Sequence, residues 1–402
     1  MRILHCCLSC FYIDNYGYQE NILPKQHKKD GHKVEILAST ETCLNHKTLG
    51  YVEAGCYKSE SEIPVTRLQY SKILPHFVMK KLRIFKGVAR VLNRFAPDII
   101  FVHGCQFLDI WHIVKYAKSK PEVKIFVDCH TDFLNSGRNW FSKYIMHKII
   151  YRKCAKMIEP YTTKFYGVLP IRCDFLHDIY GIPREKIELL ELGAEDDNIH
   201  IEMRDEIRER ICRELNLGVK DFIIITGGKL DKQKKTEELL DAITIIASDR
   251  IKLVIFGSMT DDVFHAVEKK TSNPSVRYIG WINADKVYDY LLSADLAIFP
   301  GLHSVLWEQA VACGVPCVFR NIDGIHHVNT GGNCMFLNEG SAEEIAQILK
   351  EIADNQIIYK EMKKNALHGA NRFMYSDIAK RSIMGPAIRP KNIVQAHNID
   401  TR

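Results

Sequence analysis

The sequence predicts an α/β protein built from two doubly wound, Rossmann-like domains that face each other across a cleft. Short apolar runs alternate with helical patterns along most of the 402 residues, and this alternation predicts βαβ units with parallel sheets. A highly charged stretch over residues 199–216 separates two such series, because the pattern restarts at Asp221. We therefore predict a first domain over residues 1–198, a second over 199–386 whose last helix packs back on the first, and a loose tail over 387–402.

Each element of the first half follows from the spacing of its apolar residues. The first apolar run leads into a loop that contains Gly17, and the helix after it ends at Gly31, a residue type that commonly closes helices. The predicted strands cover residues 2–11, 32–39, 98–104, 124–130 and 154–160. The predicted helices cover residues 19–30, 77–95, 108–119 and 139–154, and a further helix lies in the 170s.

The second half repeats the same alternation. Its predicted strands cover residues 221–229, 251–258, 276–282, 296–300 and 316–320. Its predicted helices cover residues 234–247, 260–271, 285–293, 303–313, 341–353 and 356–371. The helix that begins with His303 and Ser304 carries one carboxylate, Glu308, and stops at Gly314.

The totals exclude several classes of protein. The net charge of +6 is too small to indicate nucleic acid as a partner, and no apolar stretch reaches the roughly 18 residues of a membrane-spanning helix. The 13 cysteines include no CxxC pair joined to a second pair or to nearby histidines, so we expect no zinc site but buried, reduced thiols in a cytoplasmic protein. Polar residues interrupt the first apolar run, which fits a strand better than a signal peptide.

Glycines, histidines and lysines follow the predicted strands, where a doubly wound sheet binds its ligands. A glycine turn and a helix start suit a phosphate group, and Lys229 and Lys235 add two cations. Glu308 could accept hydrogen bonds from two vicinal hydroxyl groups, such as those of a ribose. The residues at these strand ends are Gly17, His103, His130, Gly228, Lys229, Gly257, Gly280, His303, Ser304 and Glu308.

The order of these motifs resembles the family 4 retaining glycosyltransferases of GT-B fold, in the variant of bacterial surface-polysaccharide clusters. The matching segments of the second half read "GGKLDKQKKTEELLDAI", "YDYLLSADLAIFP" and "EQAVACGVP". In the first half, "GYQENILPKQHKKDGHKVEILAS" and "DIYGIPREKIELLELGAE" agree more loosely. The resemblance covers about residues 1 to 380 and is most specific over residues 227–316.

The resemblance implies roles for individual residues. Glu308 matches the acid that binds the donor ribose, and Lys229 and Lys235 match the basic pair that neutralises the donor diphosphate. His130 matches a histidine beside the transferred sugar. In one departure, Pro300 stands where the family has its first acid, and in another, Lys replaces Arg at 229, which loses a bidentate fork. His303 or Ser304 is a candidate to replace that acid.

The resemblance implies a metal-independent, hexosyltransferase-type enzyme that uses no cofactor. Its donor would be a nucleotide-sugar, UDP- or GDP-linked, and its acceptor a glycan or a lipid-linked saccharide. Retention would proceed by front-face attack, in which the leaving phosphate takes the acceptor proton. The alternatives are a non-catalytic sugar-nucleotide or glycan-binding homologue, a GT-B-fold epimerase and a phosphorylase.

Two basic stretches of the first half point to a further partner. Residues 71–97 hold seven Lys and Arg without an acid, and residues 133–158 hold six, interleaved with aromatic residues. Such segments can lie on the anionic inner face of a plasma membrane, and core helices with a basic solvated face are the alternative. No nucleic-acid-binding motif accompanies the charge.

Overall fold

A computed structural model describes residues 1–44, 48–132, 136, 140–270 and 273–384 of the protein. The predicted tail over 387–402 lies outside the described residues. The strands are β1 Arg2–Cys7, β2 Lys33–Ser39, β3 Glu41–Leu44, β4 Thr48–Tyr51, β5 Gly55–Lys58, β6 Pro64–Leu68, β7 Ile99–His103, β8 Lys124–Cys129, β9 Thr162–Gly167, β10 Ile187–Leu189, β11 Phe222–Gly227, β12 Ile251–Phe256, β13 Val276–Tyr278, β14 Leu296–Phe299, β15 Cys317–Arg320 and β16 Cys334–Leu337.

The α-helices alternate with most of these strands. They are α1 Gln19–Lys29, α2 His76–Leu82, α3 Val88–Phe95, α4 Ile110–Ser119, α5 Arg152–Ile158, α6 Pro170–Asp178, α7 Arg204–Leu215, α8 Thr236–Ile246, α9 Asp261–Lys270, α10 Ala284–Ser293, α11 Leu306–Ala312, α12 Ala342–Asp354, α13 Gln356–Gly369 and α14 Tyr375–Ile383. A π-helix over Phe141–Tyr151 runs directly into α5.

Two largely parallel sheets confirm the predicted fold class. The first has the strand order β10-β9-β8-β7-β1-β2-β6-β5, in which only β5 runs antiparallel to its neighbour. The second has the order β13-β12-β11-β14-β15-β16 and is parallel throughout. The central strands are buried on both faces, since β7 and β8 are apolar runs covered by helices on either side.

The two halves of the molecule pack against each other at two places. Val168 and Leu169, which follow β9, belong to the apolar core of the second sheet. In the other direction, Ile378 and Ala379 of α14 pack in one core cluster with Ile3 of the first sheet. The last described helix therefore completes the first half of the molecule, and the predicted boundary near residue 198 stays a prediction.

Three predicted elements differ most from the structure, while the strands predicted over 2–11 and 276–282 end earlier, at Cys7 and Tyr278. The single helix predicted over 77–95 is two helices, because Arg83 and Gly87 adopt left-handed backbone angles, with φ of 54° and 108°. The strand predicted over 154–160 is wrong: these residues extend a helix that buries Cys154 and Ile158, four residues apart on one face. The helix predicted to start at His303 and Ser304 begins only at Leu306.

The structure also contains elements that the sequence did not indicate. They are the β3–β4 hairpin and the strands β5, β6, β10 and β16, and helix α14 lies beyond the last helix whose bounds were predicted. All 13 cysteines are free, and nine of them are buried: Cys6, Cys7, Cys105, Cys129, Cys154, Cys212, Cys313, Cys317 and Cys334. Over the described ranges, we find no helix that is long and apolar enough to cross a bilayer.

Candidate active site

Glu308 lies in the first turn of α11 and is fully buried. Its Oε1 is 2.8 Å from Nε2 of His303 and 2.8 Å from Nε2 of His327, and its Oε2 is 3.1 Å from Nε2 of His303. The turn after β14 places His303, and the loop between β15 and β16 places His327. Two loops at one edge of the second sheet thus meet at a single carboxylate.

Both imidazoles keep Glu308 in its charged form. Burial alone favours the neutral acid, but the charge and hydrogen bonds of His303 and the hydrogen bond of His327 outweigh it and lower the pKa of Glu308 to about 2. Glu308 is therefore an ionised acceptor in a site closed to water. Hydroxyl groups of a ligand would have to replace His303 or His327 at its oxygens.

The turn before α11 packs tightly against the turn before α8. A Cβ atom built on Gly301 would lie 2.1 Å from the carbonyl oxygen of Gln233, so only glycine fits. The amide of Leu302 donates to the same oxygen at 3.0 Å, and Nζ of Lys234 donates to the carbonyl of His303 at 3.3 Å. Within the part of the chain that the structure describes, the amides of His303 and Ser304 have no hydrogen-bond partner and are free to meet an anion.

Gly228 and Gly257 lie side by side after the neighbouring strands β11 and β12. Both adopt positive φ, of 114° and 115°, and a Cβ atom on Gly257 would lie 1.9 Å from the carbonyl oxygen of Gly228. Packing between the two turns therefore explains the glycine at 257. A Cβ atom on Gly228 would lie 3.1 Å from Leu306, which places this turn against the start of α11.

The two predicted cations differ in their surroundings. Lys229 is exposed and forms no ion pair with any described residue. Lys235 instead donates through Nζ to the carbonyls of Glu339, at 2.8 Å, and Gly340, and its Nζ lies 3.7 Å from Oε1 of Glu238. Its ammonium group therefore stabilises the loop before α12, whereas Lys229 remains available for a ligand.

His130 directly follows β8, at the carboxyl edge of the first sheet. Its Nε2 lies 3.2 Å from Oδ2 of Asp128, and Nδ1 of His103 lies 2.8 Å from the same oxygen. Burial lowers the pKa of His130, but the Asp128 carboxylate outweighs burial and raises it. His130 is only partly buried, so Asp128 presents a protonatable ring to the cleft.

Helix α6 connects the two halves of the site. The amide of Ile171 donates to the carbonyl of Gly324, in the loop that carries His327, at 3.2 Å. The next residue, Arg172, donates through Nε to Oδ2 of Asp132 at 2.8 Å. Because Asp132 lies two residues after His130, one turn of helix holds the first-sheet histidine and the Glu308 loop on the same cleft.

Gly17 lies in the loop between β1 and α1. A Cβ atom built there would meet no atom within 4 Å, and its φ is not in the left-handed region. Neither packing nor backbone geometry therefore requires glycine at this position. The space beside it is open to a ligand.

Among the residues that the structure describes, two clusters have residue types that can hold a metal ion, namely His103 with Asp128 and His130, and His303 with Glu308 and His327. In both, the nitrogen and oxygen atoms lie 2.8 to 3.2 Å apart, which is the length of a hydrogen bond. The rings and carboxylates satisfy one another in this way. Metal independence nevertheless stays a prediction.

Sequence reasoning missed three residues that shape the site. His327 contacts Glu308 from a loop without a recognisable motif, and Lys234 donates to the carbonyl of His303 in the turn before α11. Asp128 flanks His130 at a spacing of two, which places both side chains on one face of an extended segment. That spacing is the one signal that could have identified Asp128 as the partner of His130.

Comparison with known proteins agrees with this geometry. Residues 207–368 match the family model described as "Glycosyl transferases group 1". An uncharacterized 41.2 kDa protein in the cps region of Klebsiella pneumoniae is 25% identical over 310 residues, which are 73% of this chain and 80% of that protein.

Two solved structures share the fold over nearly the whole chain. A glycosyltransferase from Rickettsia africae superimposes with a TM-score of 0.70 at 15% identity, covering 95% of this chain and 96% of that one. HepE from Anabaena, solved in complex with UDP, gives a TM-score of 0.65 at 15% identity and covers 95% and 98%. The fold is GT-B, and with the family match it supports a GT-B glycosyltransferase.

Proposed function

We propose that the protein is a retaining, hexosyltransferase-type glycosyltransferase of family 4 that uses a nucleotide-sugar and acts in surface-polysaccharide synthesis. The observation that carries the proposal is Glu308, a buried, ionised acceptor in the first turn of α11 beside the glycine turn at Gly228. A carboxylate held in this form suits the two hydroxyls of a donor ribose. UDP or GDP is the expected nucleotide of the donor, and HepE, a structural relative, was solved with UDP.

The donor diphosphate would lie between the glycine turn and the turn before α11. Lys229 supplies an exposed cation that forms no ion pair with a described residue, and the amides of His303 and Ser304 supply free donors. Charge develops on the leaving phosphate as the anomeric C–O bond breaks, and such preorganised groups stabilise it. In the transfer, the acceptor hydroxyl attacks the anomeric carbon from the face that the phosphate leaves. A C–O bond to the acceptor forms as the C–O bond to the phosphate breaks, and the hydroxyl proton passes to the leaving phosphate oxygen.

His130 would contact the transferred sugar from the first sheet. Asp128 raises its pKa, so the ring can donate a hydrogen bond from the face opposite Glu308. We assign it the role of holding the sugar while positive charge develops at the anomeric carbon. Retention predicts that the product keeps the anomeric configuration of the donor, which proton NMR of the product tests, and an inverted product would contradict this mechanism.

A polar cavity of about 330 Å³ beside the strand end offers a place for the acceptor. It borders Thr131, the residue after His130, and its wall includes Arg83. The Arg83 Nη1 donates to Oγ of Ser9 at 2.8 Å and to the carbonyl of Gln106 at 3.2 Å, and the guanidinium has no acidic partner over the described ranges. We propose that the acceptor, a glycan or lipid-linked saccharide, enters here with an anionic group toward Arg83.

The membrane proposal rests on a surface near this cavity, which we call the aromatic–lysine face: Ile73, Phe77, Lys81, Trp140, Phe141, Tyr144 and Lys148. Phe77 and Trp140 are 68% and 69% exposed. Nζ of Lys81 lies 5.0 Å from the ring of Phe141, which joins α2 to the π-helix. Exposed aromatic rings among lysines are typical of segments that lie in a headgroup layer, and an anionic membrane surface is the partner we propose.

Thermal-shift binding tests the proposed donor site. The panel is UDP, GDP, ADP and their sugar conjugates, with Glu308→Gln and the exposed control Glu361→Gln. One nucleotide should raise the melting temperature, since a ligand at about 100 times its Kd stabilises by about 2.7 kcal/mol. Glu308→Gln should lose the shift and Glu361→Gln should keep it. A shift that survives in Glu308→Gln would contradict the role of this acid.

One observation favours a second function. Pro300 occupies the place of the family's first acid and is fixed in the turn that packs on Gln233. A sugar-nucleotide or glycan-binding homologue without catalysis would need no acid there. Donor hydrolysis or transfer that disappears in both Glu308→Gln and His130→Ala would exclude this alternative, whereas nucleotide binding without turnover would support it.

A further inference from the structure

A chain of buried histidines lies behind His130. His103 bonds Asp128 through Nδ1 at 2.8 Å, its Nε2 is 3.0 Å from Nδ1 of His5, and Nε2 of His5 is 3.0 Å from Nδ1 of His27. All three rings are at most 1% exposed. The chain runs across β8, β7 and β1 to α1, and we call it the histidine chain, comprising Asp128, His103, His5 and His27.

The far end of the chain is closed by the last helix. Nε2 of His27 lies 3.1 Å from the carbonyl oxygen of Ala379 and 3.1 Å from Oγ of Ser382. The same hydroxyl also lies 2.8 Å from the Ala379 carbonyl, to which it can donate. Helix α14 therefore presents one acceptor and one hydroxyl to the terminal imidazole.

The number of available protons allows two states in which every link of the histidine chain is a hydrogen bond. Its four links, from Asp128 through three rings to α14, need one proton each, and three neutral imidazoles supply three. Asp128 supplies none, because His103 and His130 outweigh burial and hold its pKa well below the ordinary value. The fourth proton comes either from the Ser382 hydroxyl, which then leaves the Ala379 carbonyl, or from one additional proton on the rings.

The additional proton belongs beside Asp128. Burial lowers the pKa of His5 well below its ordinary value and that of His27 to about 4, so charge on these two rings is costly. His103 lies against the carboxylate, where a positive charge is compensated. In that state every ring donates toward α14, His27 bonds the Ala379 carbonyl, and Ser382 donates to the same oxygen.

We propose that the histidine chain is a proton-holding relay that positions His130: it takes up one proton and thereby changes how strongly Asp128 binds the His130 ring. A charged His103 compensates the carboxylate that His130 shares, so His130 releases its own proton more readily. The two uptake events oppose each other. His103, His5 and His27 are positioning residues, and their effect on turnover rests on the proposed function, although the proton uptake itself does not.

Other charged or titratable groups face the chain and set its background. Glu20 and Arg172 act on His130 with opposite sign, Cys10 lies near Asp128, and the ring of His32 is 6.1 Å from that of His27. None of these groups interrupts the four links.

Histidine NMR tests the relay on the whole protein without a substrate. Two-bond proton–nitrogen spectra of ¹⁵N-histidine-labelled protein report the tautomer and charge of each of the 17 histidines between about pH 5 and about pH 9. We expect His103, His5 and His27 to change in one shared step, with the positive charge on His103. Rings that titrate independently, or that keep one tautomer throughout, would overturn the proposal.

A mild variant makes the test directional. Ser382→Ala removes the hydroxyl that completes the neutral state but leaves the Ala379 carbonyl that completes the charged one. The shared step should therefore move to higher pH, by about one pH unit for one lost hydrogen bond. The pH at the midpoint of the His130 titration should fall. The exposed control His200→Gln should change neither. An unchanged step in a folded Ser382→Ala protein would overturn the relay.

The enzymatic arm separates this inference from the proposed function. If donor turnover exists, its pH profile should shift in Ser382→Ala and stay unchanged in His200→Gln. If no turnover is found but the shared step moves as expected, the relay stands and the proposed function fails. If turnover exists and the rings titrate independently, the proposed function stands and the relay fails.

Discussion

Single residues at the site carry charge where burial opposes it. Glu308 and Asp128 are each fully buried and are each held in the ionised form by two histidines. One lies at the edge of the second sheet and the other at the edge of the first. The cleft is therefore lined by two carboxylates whose charge depends on neighbouring imidazoles, not on water.

Glu308 should contribute a pH-dependent part of the stability. Its pKa of about 2 in the folded protein lies below the ordinary 4.5, so the stabilisation is complete above about pH 4.5 and disappears as the pH falls toward 2. At neutral pH, Glu308→Gln should lower the free energy of unfolding by about 1–3 kcal/mol. Urea titrations at several pH values check this, and Glu361→Gln should show no such trend. A cost that stays constant into acid would contradict the assignment.

Arg83 should act on the acceptor and not on the donor. Arg83→Met removes a guanidinium that lines the cavity beside Thr131, so the KM for an anionic acceptor should rise about tenfold or more, as for a lost charged hydrogen bond. Donor binding in the thermal-shift assay should be unchanged. The exposed Arg90→Met is the control. If Arg83→Met abolished the rise in melting temperature on nucleotide binding, Arg83 would belong to the donor site, which would contradict its proposed role at the acceptor.

The sequence identified the acid but not what holds it. Glu308 could be predicted because a strand, a turn and a helix surround it in a short segment. His327 could not, since it reaches Glu308 across 19 residues from an irregular loop. The histidine chain behind His130 could not be predicted either, because His5 and His27 meet only when α1 packs on β1 in the folded protein.

At the scale of elements, the turn between β14 and α11 fixes the donor side of the cleft. Gly301 packs on the turn before α8, and the Gly228 turn packs on the start of α11. The segments that follow β11 and β14 thus support each other. This arrangement explains why α11 starts late, at Leu306: the preceding residues are held by the neighbouring turn and cannot enter the helix.

Gly301 and Gly17 should therefore respond differently to alanine. Gly301→Ala places a Cβ atom 2.1 Å from the Gln233 carbonyl, so the turn must shift, and we expect a loss of about 1–3 kcal/mol together with a weakened nucleotide shift. Gly17→Ala meets nothing within 4 Å and should leave the melting temperature unchanged. Calorimetry of both variants measures the difference. Equal effects would show that the packing at Gly301 is looser than described.

Elements with a clear apolar period were predictable, and short or irregular ones were not. The central strands β7, β8, β11 and β14 were placed correctly because each is a continuous apolar run. The edge strands β5 and β16 are short and partly exposed, so their composition resembles that of loops. The break between α2 and α3 depends on backbone angles at Arg83 that residue type does not reveal.

The molecule as a whole is asymmetric in its exposed surface. The aromatic–lysine face belongs to the first half only, whereas the proposed donor site belongs to the second. Such an arrangement would let a membrane-bound acceptor meet the first half while the donor enters from water. The cleft between the halves is then the place where the two substrates meet.

Vesicle sedimentation tests this orientation. The protein should bind vesicles that contain phosphatidylglycerol and should not bind pure phosphatidylcholine. Trp140→Ser and Lys148→Gln should each weaken binding about fivefold, since each removes about 1 kcal/mol of interfacial attraction. Trp281, on the second half, is 71% exposed, and Trp281→Ser is the matched control. Equal weakening by Trp281→Ser would indicate nonspecific adsorption.

The packing of α14 on the first sheet has a consequence for how the protein is made. Ile378 and Ala379 share a core cluster with Ile3 and Leu23, so the earliest and latest parts of the described chain meet. A ribosome releases the N-terminal half long before it has synthesised its last helix. The core of this half therefore stays incomplete until α14 has been made, and a chimera that exchanges this half between relatives would have to carry the matching α14 with it.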